Sequence, residues 1–137
     1  MNAIATPPVD PNATDTLGCL LGCLWEETMS LLLVCETQRE KYRQAAAGTN
    51  SLQVSRALLG TAMRLNDLTG WLAAQRDAAA RGTSSPARLR HRAMLDQPVA
   101  APLPDDVLAL VNRSLDLYTL AVDLEDLLTG PSHHLNG

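Results

Sequence analysis

The chain contains no phenylalanine and only two tryptophans and two tyrosines in 137 residues. A core must therefore be built from Leu, Val, Ala and Met, and hydrophobic residues make up 46% of the sequence, which is enough for one core. Leu and Ala favour helices, whereas the aromatic and β-branched residues that favour strands are scarce. The composition predicts an all-α domain.

The first residues have neither a basic region nor an apolar stretch, so we expect no secretion signal. Cysteine occurs three times, an odd number, and all three lie in the first third of the chain. Both features indicate a reducing compartment, so we expect a cytoplasmic protein. Residues 17–35 are apolar except near Glu26 and Glu27, whose adjacent carboxylates would be costly inside a bilayer. We expect a soluble helix here and no membrane span.

Sequence patterns typical of enzymes are missing as well. The chain has no glycine-rich phosphate loop, no nucleophile elbow and no carboxylate–histidine grouping, so we expect no catalytic activity and no cofactor. Cys19 and Cys23 lie four residues apart, but no histidine stands at a ligand-like spacing from them. We therefore interpret Cys19, Cys23 and Cys35 as packing residues and expect no metal site.

The net charge of −4 is unevenly distributed and disfavours general nucleic-acid binding. Residues 1–38 and 104–137 are acidic, whereas residues 39–92 hold ten of the 11 basic residues. This order is typical of a solvated face, of helices that attract one another, or of a basic face for an anionic partner. The alternating Arg88, Arg90 and Arg92 form the densest part of that basic region.

Apolar spacing predicts three helices, over residues 15–46, 51–81 and 104–129, with stops at Gly48, Gly82 and Gly130. Prolines in the first dozen residues predict a flexible arm over residues 1–14, and residues 130–137 are expected to form a short flexible tail. Residues 82–103 form a connection in which prolines forbid a long helix. The sequence thus predicts one domain, an antiparallel three-helix bundle.

The third helix has more apolar surface than such a bundle should bury. One stripe runs from Val107 to Leu128 and a second consists of Leu108, Leu115, Tyr118 and Val122. Together with the small residues of the GCLLG segment in the first helix, this excess predicts a homodimer interface.

Three groups of residues in the second and third helices resemble the RcdA family, the bacterial regulators of CtrA degradation. They are Ala62-Met63-Arg64-Leu65 with Gly70-Trp71-Leu72 and Gln75-Arg76, then Leu103-Pro104, then Arg113-Ser114-Leu115 with Leu117-Tyr118. The resemblance covers about residues 55–126, with a looser match at Trp25-Glu26-Glu27-Thr28-Met29. The chain departs from the family at Asp116 and Leu120, where the family often carries basic residues, and its C-terminal tail is shorter.

This resemblance implies a dimeric three-helix bundle that works as an adaptor. Family members help to deliver cell-cycle regulators to the ClpXP protease, alongside a response regulator and a cyclic-di-GMP-binding protein. By the same implication, the partners would be ClpX, those two proteins and a cargo regulator.

The candidate partner-contact residues lie in these motifs. They are Arg64, Trp71, Gln75, Arg76, Arg113 and Tyr118. Since arginine side chains are charged, we expect part of Arg64, Arg76 and Arg113 to reach water. Trp71 could be a surface anchor or a core residue, and Arg113 a rim contact or a structural salt bridge. The alternative function is a secretion or flagellar export chaperone, a class that is similarly small, helical and dimeric.

Overall fold

The computed structural model describes residues 11–44, 51–96 and 102–136, and the side chains of 16–44, 52–95 and 102–129. Three long helices account for most of this: α1 (Pro11–Gln44), α2 (Ser51–Arg81) and α3 (Asp105–Asn136). A short 3-10 helix, Arg92–Asp96, precedes α3. No strand occurs in the described ranges. The prediction of an all-α, three-helix bundle is confirmed.

Contacts between named side chains give the helix directions. Helix α1 is antiparallel to both α2 and α3, as predicted, but α2 and α3 run in the same direction, so the predicted antiparallel arrangement does not extend to that pair. The defining pairs are Trp25–Arg76, Cys35–Leu58, Glu27–Arg113, Lys41–Asp106, Arg64–Ser114 and Asp67–Tyr118. Since α2 and α3 are parallel, the connection between them must return along the length of the bundle, and residues 89–91 accordingly lie against both helices.

The end of α2 shows why the chain turns into this connection. Gly82 has φ of +69°, a conformation that residues with a Cβ rarely adopt. The Thr83 amide donates to the Ala78 carbonyl at 2.9 Å, and the Gly82 amide donates to the Ala79 carbonyl at 3.2 Å. This is a Schellman motif, and it ends α2 at the predicted residue.

Two helix ends differ from the prediction. Helix α1 begins at Pro11 rather than at residue 15, since proline has a suitable φ and lacks the amide hydrogen that a first-turn residue leaves unused. Helix α3 continues past Gly130 and Pro131 to Asn136, so the prediction of a flexible tail over residues 130–137 was wrong for residues 130–136. A proline removes one hydrogen bond from the helical ladder, and here the helix continues without a break despite that loss. Residues 1–10 of the predicted arm lie outside the described residues.

The core forms where the apolar stripes of the three helices meet. Helix α2 contributes a fully buried stripe of five residues at helical spacing: Leu58, Ala62, Leu65, Leu68 and Leu72. The first α3 stripe is buried as far as Leu124, and α1 contributes Leu21, Leu24, Thr28, Leu31 and Cys35.

The expectation that the second α3 stripe would be left over for a partner was wrong for three of its four residues, whereas Leu108 is 36% exposed. Tyr118 is 0% exposed and Val122 is 9% exposed, and Leu115 packs against the core. The returning connection covers this side of α3, which a bundle of three helices alone would leave exposed. Its Leu89 joins the same core, and its His91 amide contacts Tyr118.

Candidate interaction surface

Four of the six candidate partner-contact residues are buried. The exposed fractions are 6% for Arg64, 2% for Trp71, 9% for Gln75 and 0% for Tyr118. The expectation that Arg64 reaches water was wrong, and the interpretation of Trp71 as a surface anchor is replaced by that of a core residue. The groups that carry the sequence resemblance therefore lie mainly inside the bundle.

Arg64 joins α2 to α3 through hydroxyl groups. Its Nη2 donates to Thr61 Oγ1 and to Ser114 Oγ, both at 3.0 Å, and its Nε lies 3.3 Å from the same Ser114 oxygen. No carboxylate lies within salt-bridge distance of it among the side chains that the structure describes. Burial consequently lowers the pKa of Arg64.

Tyr118 and Asp67 hold the returning connection. The Tyr118 hydroxyl donates to Asp67 Oδ2 at 2.6 Å and accepts a hydrogen bond from the His91 amide at 2.8 Å. The same Asp67 oxygen accepts the Arg90 amide at 2.8 Å. Burial, followed by the hydrogen bond to Asp67, raises the pKa of Tyr118. Tyr118 therefore has a structural role rather than that of an exposed contact.

Glu125 is a second anchor of the connection and was not identified from the sequence. It is 2% exposed, its Oε2 accepts the Leu89 amide at 2.8 Å, and its Oε1 lies 3.3 Å from Arg92 Nη1. Arg92 also binds both carboxylate oxygens of Asp126 at 3.0 Å. The only sequence signal was the acidic third helix following the basic connection, which allowed attraction between them.

Arg76 and Arg113 are exposed, as expected, and each contacts α1. The Arg76 guanidinium lies 5.3 Å from the centre of the Trp25 ring, a cation–π distance. Arg113 Nε donates to Glu27 Oε1 at 2.6 Å. The two arginines thus reach α1 from opposite sides, Arg76 from α2 and Arg113 from α3. The structural interpretation of Arg113, a salt bridge to a neighbouring helix, is the one observed.

The three cysteines differ from one another. Cys35 is buried, as expected of a packing residue, and its Sγ lies 3.6 Å from the Leu58 carbonyl oxygen. Burial raises the pKa of Cys35. Cys19 and Cys23 are exposed, so their interpretation as packing residues was wrong. Across the described ranges, no cluster of three or more His, Cys, Asp or Glu residues is arranged to hold a metal ion.

The two exposed cysteines belong to a wider apolar surface, which we call the outer α1 face. Its members are Cys19, Leu20, Cys23, Met29, Leu33 and Val34. Leu33 is the most open of them, at 71% exposed. Between Thr16 and Cys35, α1 has no charged residues other than Glu26 and Glu27. The exposed Glu26 and Ser30 lie among these residues, so the face is mainly but not wholly apolar. Exposed apolar residues gathered on one side of a helix are typical of a site where a soluble protein binds a partner.

Length and composition would also allow part of α1 to cross a membrane. Thr16–Gln44 has a mean hydropathy of 1.5 in its most apolar 18-residue window, of which 22% is buried. Core helices of soluble proteins and signal sequences can be equally long and apolar, so this single helix is weak evidence for a membrane span.

Comparisons of the chain with protein-family models, with curated proteins and with solved structures find no match.

Proposed function

We propose that the chain is a non-enzymatic adaptor that binds other proteins and, like the RcdA family it resembles in sequence, helps to deliver cell-cycle regulators to the ClpXP protease. The observation that carries this proposal is the outer α1 face, an apolar surface that the bundle does not cover. An adaptor needs no catalytic group. It needs a surface that holds one protein close to another and so raises its effective concentration.

The chemistry of the outer α1 face suits a protein partner with an apolar helix or groove. Arg76 and Arg113 lie at its two edges and would supply the polar rim that surrounds the apolar centre of many interfaces. Trp71 and Tyr118 are buried in the bundle and are not proposed as contacts. The proposed partners are ClpX, a response regulator, a cyclic-di-GMP-binding protein and a cargo regulator.

We place the proposed homodimer at the N-terminal part of the same face. Ideal Cβ atoms at Gly18 and Gly22 would meet nothing within 4 Å, so a second helix could approach the α1 backbone closely there. Light scattering at micromolar protein concentration should then report twice the chain mass. A monomer would leave the face available to other partners but remove the dimer from the proposal.

The test of the adaptor is the rate at which purified ClpXP degrades a cell-cycle regulator, with the response regulator and the cyclic-di-GMP-binding protein present. Leu33→Ser alters the outer α1 face, and Leu127→Ser is its control because Leu127, on α3, is 72% exposed against 71% for Leu33. Neither should change stability by more than about 0.5 kcal/mol. Wild type and Leu127→Ser should accelerate degradation, whereas Leu33→Ser should not.

Equal degradation with wild type, with Leu33→Ser and without the protein would contradict the adaptor. Capture of an export substrate in place of ClpX would favour the secretion or flagellar chaperone. Sedimentation of the wild type with lipid vesicles, abolished by Leu33→Ser, would assign the outer α1 face to a membrane instead of a protein.

A further inference from the structure

The connection between α2 and α3 is held in place through its backbone. The Leu89 amide donates to Glu125 Oε2, the Arg90 amide to Asp67 Oδ2 and the His91 amide to the Tyr118 hydroxyl, each at 2.8 Å. These bonds tie three consecutive residues to side chains of both α2 and α3. The segment is therefore fixed in position although it is not part of a helix.

Side chains alternate along this segment. Leu89 is 5% exposed and packs in the core, whereas Arg88 and Arg90 on either side of it are exposed. In an extended chain, residues two apart project on the same side, about 7 Å from each other. Because Leu89 is turned into the core, the exposed side chains of Arg88 and Arg90 both leave the segment on its solvent side.

Neither arginine forms an ion pair with any side chain that the structure describes, whereas Arg81, Arg92 and Arg113 each do so. Arg88 Nη1 donates to the neighbouring Ala87 carbonyl at 3.2 Å. Arg88, Arg90 and Arg92 alternate in the sequence but have two different roles. Arg92 anchors the connection to α3, and the other two have charge available for a partner.

Arg88 and Arg90 line a groove of about 590 Å³ between the connection and α2. The opposite wall includes Asn66 and Gly70, and an ideal Cβ at Gly70 would meet nothing within 4 Å, so this wall is open. Asp67 also lines the groove, but its Oδ2 already accepts hydrogen bonds from Tyr118, Arg90 and His91. No residue of α1 contributes, so the groove is separate from the outer α1 face.

We infer that this groove binds an acidic segment of a partner protein in an extended conformation, with carboxylates at alternating positions on Arg88 and Arg90. Alternate side chains of an extended peptide lie on one side of its backbone, so two carboxylates placed two residues apart can face Arg88 and Arg90 together, and guanidinium groups bind carboxylates through two parallel hydrogen bonds. The chain's net charge of −4 and the buried position of Trp71 argue against a nucleic acid, which would need a broader basic surface and bases stacked on aromatic rings. The inference adds a second surface to the proposed function, and its test does not involve the first.

The test uses two short fluorescent peptides of equal composition, one with glutamate alternating with serine and one with the glutamates consecutive. Binding is followed by fluorescence anisotropy at low salt. The alternating peptide should bind more tightly, and Arg88→Gln with Arg90→Gln should weaken it by about tenfold or more. The control pair, Arg56→Gln with Arg81→Gln, removes the same charge from exposed positions on α2 outside the groove and should change affinity less than about twofold. Amide NMR shifts should concentrate at Asn66, Gly70, Arg88 and Arg90.

Three results would overturn the inference. The first is no saturable binding up to about 1 mM peptide. The second is equal weakening by the groove pair and the control pair, which would show a general effect of charge. The third is tighter binding of a single-stranded oligothymidylate that depends on Arg88 and Arg90, which would make the groove a nucleic-acid site. Each leaves the outer α1 face and its degradation assay unaffected.

Discussion

Ser114 on α3 accepts two hydrogen bonds from one buried arginine of α2, since Arg64 Nη2 lies 3.0 Å and Nε 3.3 Å from its Oγ. The serine hydroxyl itself donates to the Val111 carbonyl at 2.8 Å, which leaves its lone pairs for Arg64. Two of the groups that carry the family resemblance, one around Arg64 and one around Ser114, are thus in direct contact. Their spacing in the sequence reflects how α2 packs on α3.

A charge buried without a carboxylate should be replaceable by an apolar side chain of similar size. Arg64→Met removes the desolvation cost and keeps most of the packing, so the free energy of unfolding should stay within about 1 kcal/mol of wild type. Arg64→Ala also leaves a cavity and should cost about 2–5 kcal/mol. Urea denaturation of both variants measures this, with exposed Arg56→Ala as a control that should change little. Equal losses for Met and Ala would mean that the charge itself is needed.

Removing the Tyr118 hydroxyl should weaken the attachment of the connection. Tyr118→Phe deprives Asp67 of one donor and His91 of one acceptor, at a cost of about 1–3 kcal/mol at neutral pH. Since folding raises the pKa of Tyr118, the unfolded chain loses this proton first as the pH rises above about 10, and the folded state loses stability there. The difference in stability between wild type and Tyr118→Phe should therefore shrink above that pH. A constant difference across the alkaline range would show that Tyr118 does not titrate differently in the two states.

Asp106 should give the opposite pH dependence. Hydrogen bonds from Lys41 Nζ at 2.8 Å and from the Tyr42 hydroxyl at 2.7 Å lower its pKa, and its backbone carbonyl accepts from Gln38 at 3.1 Å. A lowered carboxyl pKa stabilises the fold above about pH 4, and this contribution is lost as the pH falls through the folded-state pKa. Asp106→Asn should thus lower the melting temperature at pH 7 and have a smaller effect in acid. A deficit that is as large in acid as at pH 7 would contradict the role of the carboxylate charge.

Two of the three cysteines should react quickly with a thiol reagent in the folded protein, and the third should not. Cys19 and Cys23 are exposed and Cys35 is buried with a raised pKa, so Ellman's reagent at neutral pH should find two fast thiols in the native protein. The third should react only as the protein unfolds. Cys19→Ser with Cys23→Ser should abolish the fast phase, and three fast thiols in the wild type would mean that Cys35 is not enclosed.

Periodicity was sufficient to predict the bundle and most of its core. The α2 stripe from Leu58 to Leu72 repeats every three to four residues, and a pattern of this kind is local to one helix. Gly82 likewise ended α2 as predicted, because a Schellman motif depends only on neighbouring residues.

The candidate site was predicted less well, because its contacts join residues far apart in the sequence. Nothing adjacent to Arg64 indicates burial, since the hydroxyl that accepts its hydrogen bonds comes from Ser114, 50 residues later. Asp67 and Glu125 hold the backbone of a segment 23 and 36 residues away, respectively, and the spacing of residues within one helix carries no information about contacts at that separation. The parallel α2–α3 pair follows from the path of that segment, which spacing within helices does not specify.

The side-chain anchors of the connection also make its amides reporters of how the bundle opens. Inside a helix, an amide hydrogen exchanges with solvent when that helix frays, whereas those of Leu89, Arg90 and His91 are bonded to Glu125, Asp67 and Tyr118. Their exchange requires the connection to detach from α2 and α3, while both helices can stay intact. Exchange rates at these three positions would therefore measure how often the connection detaches while the three helices remain folded.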